Sequence, residues 1–173
     1  ISILNVGMED PSWEQCSLPV RMGGLGIRTA SEVSLPAYLS SVSATFECIT
    51  PLLPTYLRND VNPFFTQAIF QWSNLLSGED LPVLKSVQAA WDMPLCKKRF
   101  ENLLQSANTD EDKARLRAVS SEHASDWLNC VPLPSMSLKL KRQTLRIAIA
   151  LRLGSKICKS HKCHCINKDT KQP

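Results

Sequence analysis

One stretch, Thr29-Ala-Ser-Glu32 with the sixteen residues after it (VSLPAYLSSVSATFEC, 33–48), indicates the fold class. It begins as a capping box, in which the Thr hydroxyl and the Glu carboxylate each accept a hydrogen bond from a free backbone N–H of the first turn. We therefore predict a helix from Thr29 to about Cys48. Pro36 either kinks this helix or moves its start.

Further helix signals follow along the chain. Asn62-Pro63 opens a helix over 64–76, and Asp92 before Pro94 opens one over 95–107. Thr109, with acids at the positive end, opens a helix to about residue 128. Ser135 or Ser137 caps the last, 138–153, which Gly154 ends.

No pair of alternating apolar runs is joined by a hairpin turn, and no internal repeat occurs. The expected class is all-α, an irregular bundle of about five to six helices. We divide the chain into an extended or loop lead-in with a Gly-rich turn (1–28), a helical domain (29–154) and a disordered, basic Cys/His-rich tail (155–173).

Several side chains are assigned to the core by their spacing. Leu116, Val119, His123 and Trp127 fall on one face of the helix predicted over 109–128, so we expect His123 to be half-buried with one hydrogen-bond partner. Trp72 and Trp91 are expected in the core. Four cysteines lie singly among apolar neighbours, which is typical of buried thiols in a reducing compartment: Cys16, Cys48, Cys96 and Cys130.

Charge is divided unevenly along the chain. Residues 1–138 contain ten basic and fifteen acidic residues, whereas 139–173 contain ten basic residues and one acid, Asp169. This favours a polyanion at the C-terminal end, either nucleic acid or anionic lipid, over a solvated lysine tail. In the last helix we expect a basic stripe of Lys139, Arg142 and Arg146 opposite Leu140, Ile147 and Leu151. Beyond Thr144 this helix is apolar nearly all round, so we expect it to be buried on several sides; a solvated basic face over a core helix is the alternative. The candidate nucleic-acid-binding residues are Lys139, Arg142, Arg146, Lys156, Lys159 and Lys162.

The tail also contains candidate zinc ligands at Cys158, His161, Cys163 and Cys165. One residue between successive donors strains a closed tetrahedral shell that uses the last three together. We therefore expect weak zinc binding without a single ordered geometry, with free thiols as the alternative.

The sequence contains no complete motif for nucleotide binding or for the common catalytic sites. Met22-Gly-Gly-Leu-Gly26 lacks the spacing of a dinucleotide or phosphate loop and is interpreted as a flexible turn. No H-E-x-x-H, nucleophile elbow or pair of adjacent aspartates occurs, so no catalytic site is expected. The longest apolar run is Ile147 to Leu151 and nothing resembles a signal peptide, so we expect no membrane span and an intracellular location, nuclear or cytoplasmic.

The segment Leu18-Pro-Val-Arg-Met-Gly-Gly-Leu-Gly-Ile-Arg28 resembles the L-P-x-x-x-G-G-L-G-[IL] segment that follows the polymerase domain in reverse-transcriptase-like proteins of non-LTR retrotransposons. Similar stretches follow in the same order as in those proteins: Gln88-Ala-Ala-Trp-Asp-Met-Pro94, Asp126-Trp-Leu-Asn-Cys-Val-Pro132, Arg146-Ile-Ala-Ile-Ala-Leu-Arg-Leu-Gly154, then Cys158 and His161-Lys-Cys163-His-Cys165. The resemblance covers most of residues 12–165.

The resemblance implies a helical region after the polymerase domain of a larger polyprotein, leading into a zinc knuckle and often an endonuclease. The polymerase's aspartate pair is missing from this sequence, as are the His and Cys that would close the knuckle. We therefore expect a C-terminal fragment that is not an enzyme by itself and contacts RNA or DNA backbone through its basic end, with the rest of the polyprotein as partner. The alternative is a helical protein-interaction module with a solvated lysine-rich tail; the oligomeric state stays open.

Overall fold

The computed structural model describes residues 10–56, 63–77, 80–83, 85–155 and 157. This part of the chain is all-α and contains seven α-helices and no β-strand. The helices are α1 (Asp10–Ser17), α2 (Ala30–Ile49), α3 (Pro63–Leu75), α4 (Gln88–Ser106), α5 (Asp110–Val119), α6 (Asp126–Asn129) and α7 (Arg142–Leu153). Short 3-10 turns lie at Val20–Met22, Thr50–Leu52 and Pro134–Met136.

The long helix α4 is the centre of the packing. Its first half joins α2 and α3 in one core cluster, where Trp72 and Trp91 are fully buried, as predicted. Their rings meet edge to face with centroids 5.2 Å apart, and Trp72 Nε1 donates to the Trp91 carbonyl at 2.8 Å. Such a ring pair adds about 0.5–1.5 kcal/mol to the burial of its area. The second half of α4 packs on Leu18 and Leu116, the latter from α5.

The capping box of α2 is confirmed: Thr29 Oγ1 accepts from the Glu32 N–H, and Glu32 Oε2 accepts from the Thr29 N–H. Pro36 does not move the start, because α2 runs from Ala30 through it. The predicted start of α4 at Leu95 is wrong. The helix begins at Gln88 and contains Pro94, since burial of Trp91 outweighs the backbone hydrogen bond lost at the proline.

The predicted half-burial of His123 is also wrong, although the expected hydrogen-bond partner is present. Helix α5 ends at Val119, where the hydroxyls of Ser120 and Ser121 donate to carbonyls of the last turn. His123 then lies in a turn with φ 65° and is exposed, with Nδ1 2.9 Å from Asp126 Oδ2. The spacing from Leu116 to Trp127 therefore does not describe one helical face.

Two further expectations need correction. Helix α1 lies within the lead-in that was expected to be extended or loop. Cys16 and Cys96 are buried as predicted, and burial raises the pKa of both thiols, that of Cys96 to about 11. Cys48 and Cys130 are exposed, because Cys48 lies on the last turn of α2 and Cys130 follows the short α6. The expected disorder of 155–173 falls, apart from Ser155 and Ile157, outside the described residues.

None of the helices in the described part of the chain combines the length and the apolarity needed to cross a membrane.

Candidate nucleic-acid interface

The Gly-rich turn is a packed structure. Backbone N–H groups of Leu25 and Ile27 both donate to the Cys16 carbonyl, and that of Gly26 donates to Leu18. Gly23 has a left-handed φ of 86°, and a Cβ at Gly24 would overlap the Leu18 carbonyl. The two positions therefore require glycine for different reasons, one for backbone conformation and one for space.

A buried arginine, Arg152, joins that turn to α7. Arg152 is 4% exposed. Its guanidinium donates to the carbonyls of Val20 (2.6 Å), Gly24 (3.2 Å) and Ala124 (3.3 Å), and to Ser125 Oγ (2.8 Å). These acceptors are all neutral, and burial lowers the pKa of the guanidinium from its usual value. Arg152 therefore fixes the end of α7 on the turn through directed hydrogen bonds.

A second layer surrounds the Arg152 backbone. Its carbonyl accepts from Gln15 Nε2 at 2.9 Å and from Arg115 Nη1 at 2.6 Å. Arg115 Nη1 also donates to Gln15 Oε1 at 2.8 Å, and Gln15 Nε2 also donates to the Gly23 carbonyl. Helices α1, α5 and α7 thus meet where the side chains of Gln15 and Arg115 bond to each other and to the Arg152 carbonyl, so that these polar groups are paired.

The turn is tied to α4 by an ion pair. Arg28 makes two hydrogen bonds to the Asp92 carboxylate, at 2.5 and 2.7 Å, with both side chains about 15% exposed. The bond to Asp92 raises the pKa of the guanidinium. As a result, the stretch at 18–28 contacts both α4, through Arg28 and Asp92, and α7, through Arg152. Trp127 packs on the cluster of Cys16, Ile149 and Leu153.

The face of α7 that packs on the body of the protein is the opposite of the predicted one. It begins at Arg142 and not at Leu138, because Ser137 takes a left-handed φ that closes the preceding 3-10 turn instead of capping a helix. Ile149 and Leu153 are buried on α1, and Arg142 and Arg146 continue that same side towards the N-terminus. The hydrogen bonds of the buried Arg152 and the packing of Ile149 and Leu153 stabilise this arrangement more than burial of the opposite, aliphatic side of α7 would.

The predicted basic stripe is consequently only partly exposed. Lys139 and Arg142 are exposed, but Lys139 lies before the helix and Arg146 is half-buried. Lys141, which was not predicted, is exposed beside them. The run Lys139-Leu-Lys141-Arg142 could have indicated Lys141 as part of a local basic group. The predicted helix start at Leu138 placed Lys141 off the basic stripe, so it was not chosen.

We call the exposed set Lys139, Lys141 and Arg142 the basic cluster. Among the described residues, no ion pair involves any of the three. The sequence from 127 to 168 contains no acid at all. The cluster therefore presents three cations without a nearby sequence neighbour of opposite charge, a composition that attracts phosphates.

The remaining predicted residues lie outside the described part of the chain: Lys156, Lys159, Lys162, Cys158, His161, Cys163 and Cys165. Within the described part, no three His, Cys, Asp or Glu side chains are grouped so as to hold a metal ion. The structure thus leaves the zinc and tail predictions as predictions.

No protein-family model, no curated protein and no solved structure matches this chain.

Proposed function

We propose that this chain is a helical, non-catalytic C-terminal part of a reverse-transcriptase-like retroelement protein, and that its basic end contacts the sugar–phosphate backbone of RNA or DNA. The basic cluster makes this contact together with lysines of the tail. We also propose an intracellular location, in the nucleus or cytoplasm, where nucleic acid is accessible.

The observation that carries the proposal is the basic cluster, three exposed cations within four residues and no acid from 127 to 168. Each lysine or arginine that neutralises a phosphate releases condensed counterions, which supplies most of the free energy of non-specific binding. The nearest acid before the cluster, Asp126, is 13 residues away and contacts His123.

The composition of the same region favours sequence-independent contact. Residues 128–173 contain no Phe, Tyr or Trp, and the two histidines of this stretch, His161 and His164, lie in the tail, so the basic cluster itself contains no ring on which a base could stack. Lysines dominate, and a lysine ammonium binds phosphate as a point charge without reading base edges. We therefore assign the cluster to phosphates alone.

The packing around Arg152 holds α7, and with it the basic cluster at its N-terminal end, against the rest of the described chain. Arg152 and Leu153 fix the C-terminal half of α7 on the Gly-rich turn and α1. The basic cluster lies at the opposite, N-terminal end of this helix and in its lead-in. The cations are therefore presented from an anchored element, although none of them contributes to the anchor.

Binding of the full chain to fluorescein-labelled duplexes of two unrelated sequences, followed by anisotropy, tests the proposal. We expect micromolar or weaker affinity, about equal for both duplexes. The variant K139Q/K141Q/R142Q should bind at least about tenfold more weakly at low salt, because three phosphate contacts are removed.

The matched control is K85Q/K97Q/R117Q, which removes two lysines and one arginine that are also exposed but lie among the acids of residues 1–138. It changes the net charge equally and should retain wild-type affinity to within about threefold if the contact is local. Equal losses in both variants would indicate a diffuse charge effect. Absence of binding by the wild-type chain would favour the protein-interaction module.

A further inference from the structure

The outward side of α7 is an aliphatic ridge, formed by Thr144, Ile147 and Leu151. Ile147 is 46% exposed and Leu151 is 56% exposed, although both were expected to face the core. Leu140, in the lead-in before α7, is also exposed. The opposite side of the helix is occupied by the contacts of Ile149, Arg152 and Leu153 with the body, so the ridge cannot turn inward without breaking them.

The spacing of the ridge fits another helix. Thr144, Ile147 and Leu151 are separated by three and four residues, the alternation of a and d positions in a helix–helix seam. The residues beside the seam include Gln143 and Ala148, and the small Ala148 allows the axis of a second helix to approach closely. A helical partner with its own apolar stripe would cover both exposed aliphatic side chains.

The charge around the ridge indicates the chemistry of that helix. The basic cluster lies at the N-terminal end of α7, and residues 127–168 contain no acid. A basic partner would meet repulsion at this end of the surface, whereas glutamates or aspartates beside the apolar stripe would pair with Lys139 and Lys141, which lie just before the helix.

We propose that the aliphatic ridge of α7 docks an acidic amphipathic helix of a partner protein. The proposal does not depend on the nucleic-acid contact, because Thr144, Ile147 and Leu151 carry no charge. The partner contributes an apolar stripe of a/d spacing, with carboxylates that reach Lys139 and Lys141, which precede the helix, at one end. A polyanion and the acidic helix would then compete for the basic cluster, while only the helix would use the ridge.

The experiment uses the full chain and three three-heptad peptides. The first has Leu at a and d with Glu at e and g, the second has the same composition in scrambled order, and the third has Lys in place of Glu. Binding is measured by anisotropy of the labelled peptide, with circular dichroism of each protein variant as a check on folding. The protein variant is I147S/L151S, which removes the two exposed aliphatic side chains and no charge.

We expect the amphipathic acidic peptide to bind at least about tenfold more tightly than either other peptide, and I147S/L151S to lose at least about tenfold of that affinity. The variant should bind duplex DNA as the wild type does. Equal binding of the scrambled acidic peptide, or an unchanged affinity of the variant, would overturn the proposal, since charge alone would then explain the contact.

Two other occupants are distinguished in parallel. If I147S/L151S abolishes binding to vesicles of phosphatidylcholine and phosphatidylserine while no peptide binds, the ridge is a lipid contact and the proposal is wrong. If the wild-type chain sediments as a dimer and the variant as a monomer, a second copy covers the ridge and the proposal is equally wrong. Failure of the nucleic-acid proposal would show differently, as absence of duplex binding by both proteins.

Discussion

Replacement of Arg152 by Met tests whether the buried guanidinium stabilises the junction of α7 with the Gly-rich turn. Met fills similar space but donates no hydrogen bond. Val20 O and Ser125 Oγ remain bonded to each other at 2.6 Å, whereas Gly24 O and Ala124 O lose the bonds that Arg152 makes to them. At about 1–3 kcal/mol for each buried acceptor left without its donor, the loss is about 2–6 kcal/mol.

Part of that loss is recovered because Met removes a buried charge without a carboxylate partner among the described residues, and desolvation of such a charge is unfavourable. We therefore expect a net loss of about 3 kcal/mol. For a chain of this size the melting temperature should fall by about 6–12 °C. Urea unfolding followed by tryptophan fluorescence measures the difference, since Trp72 and Trp91 are buried.

Arg117→Met provides the matched control, because Arg117 is exposed on α5 and its side chain makes no hydrogen bond among the described residues. Its effect should stay within about 0.5 kcal/mol. If Arg152→Met is as stable as the wild type or more so, the hydrogen bonds do not outweigh desolvation of the guanidinium, and the anchoring role of Arg152 is refuted.

Three further changes test other parts of the account. Gly24→Ala should cost more than about 3 kcal/mol, because the added Cβ overlaps the Leu18 carbonyl, whereas Gly26→Ala, with φ 69° and its nearest atom at 3.8 Å, should cost about 1 kcal/mol in thermal unfolding. Glu32→Gln should cost about 1 kcal/mol at pH 7. Burial by itself would raise the pKa of Glu32, but hydrogen bonds from Thr29 and Ser17 and the charge of Arg99 together lower it. The stabilisation by the Glu32 carboxylate is therefore present above its unfolded pKa and should vanish as the pH falls through its folded pKa. A difference in stability between the two proteins that does not change with pH would contradict this role of Glu32. Dialysis against a chelator should leave less than one zinc per chain in metal analysis, and one tightly retained zinc would show that Cys158, His161, Cys163 and Cys165 form a better site than their spacing suggests.

The parts of the fold that the sequence predicted are those with a local signal. Thr29 and Glu32 satisfy backbone donors within one turn, so the start of α2 was readable. Gly154 ends α7 with a left-handed φ for the same reason. Trp72 and Trp91 are large and mostly apolar, so they were expected in the core, and both are buried there.

The errors have a tertiary cause. The start of α4 depends on burial of Trp91 and on the pairing of Asp92 with Arg28, a residue 64 positions away, so Pro94 gave a misleading local signal. The side of α7 that faces the core depends on Arg152 reaching Val20 and Gly24. A periodicity argument treats an arginine as a solvent-facing residue, and it therefore assigned the aliphatic side of α7 to the core.

The salt dependence of duplex binding tests the central claim most directly. Each phosphate contact contributes a slope of about −0.9 to the plot of log affinity against log salt. With four or five contacts from the basic cluster and the tail, the wild-type slope on duplex DNA should be about −4. K139Q/K141Q/R142Q should flatten it by up to about 2.7 units, and K85Q/K97Q/R117Q should leave it unchanged. A slope that the first variant does not alter, or that both variants alter equally, would contradict the assignment of the phosphate contact to the basic cluster.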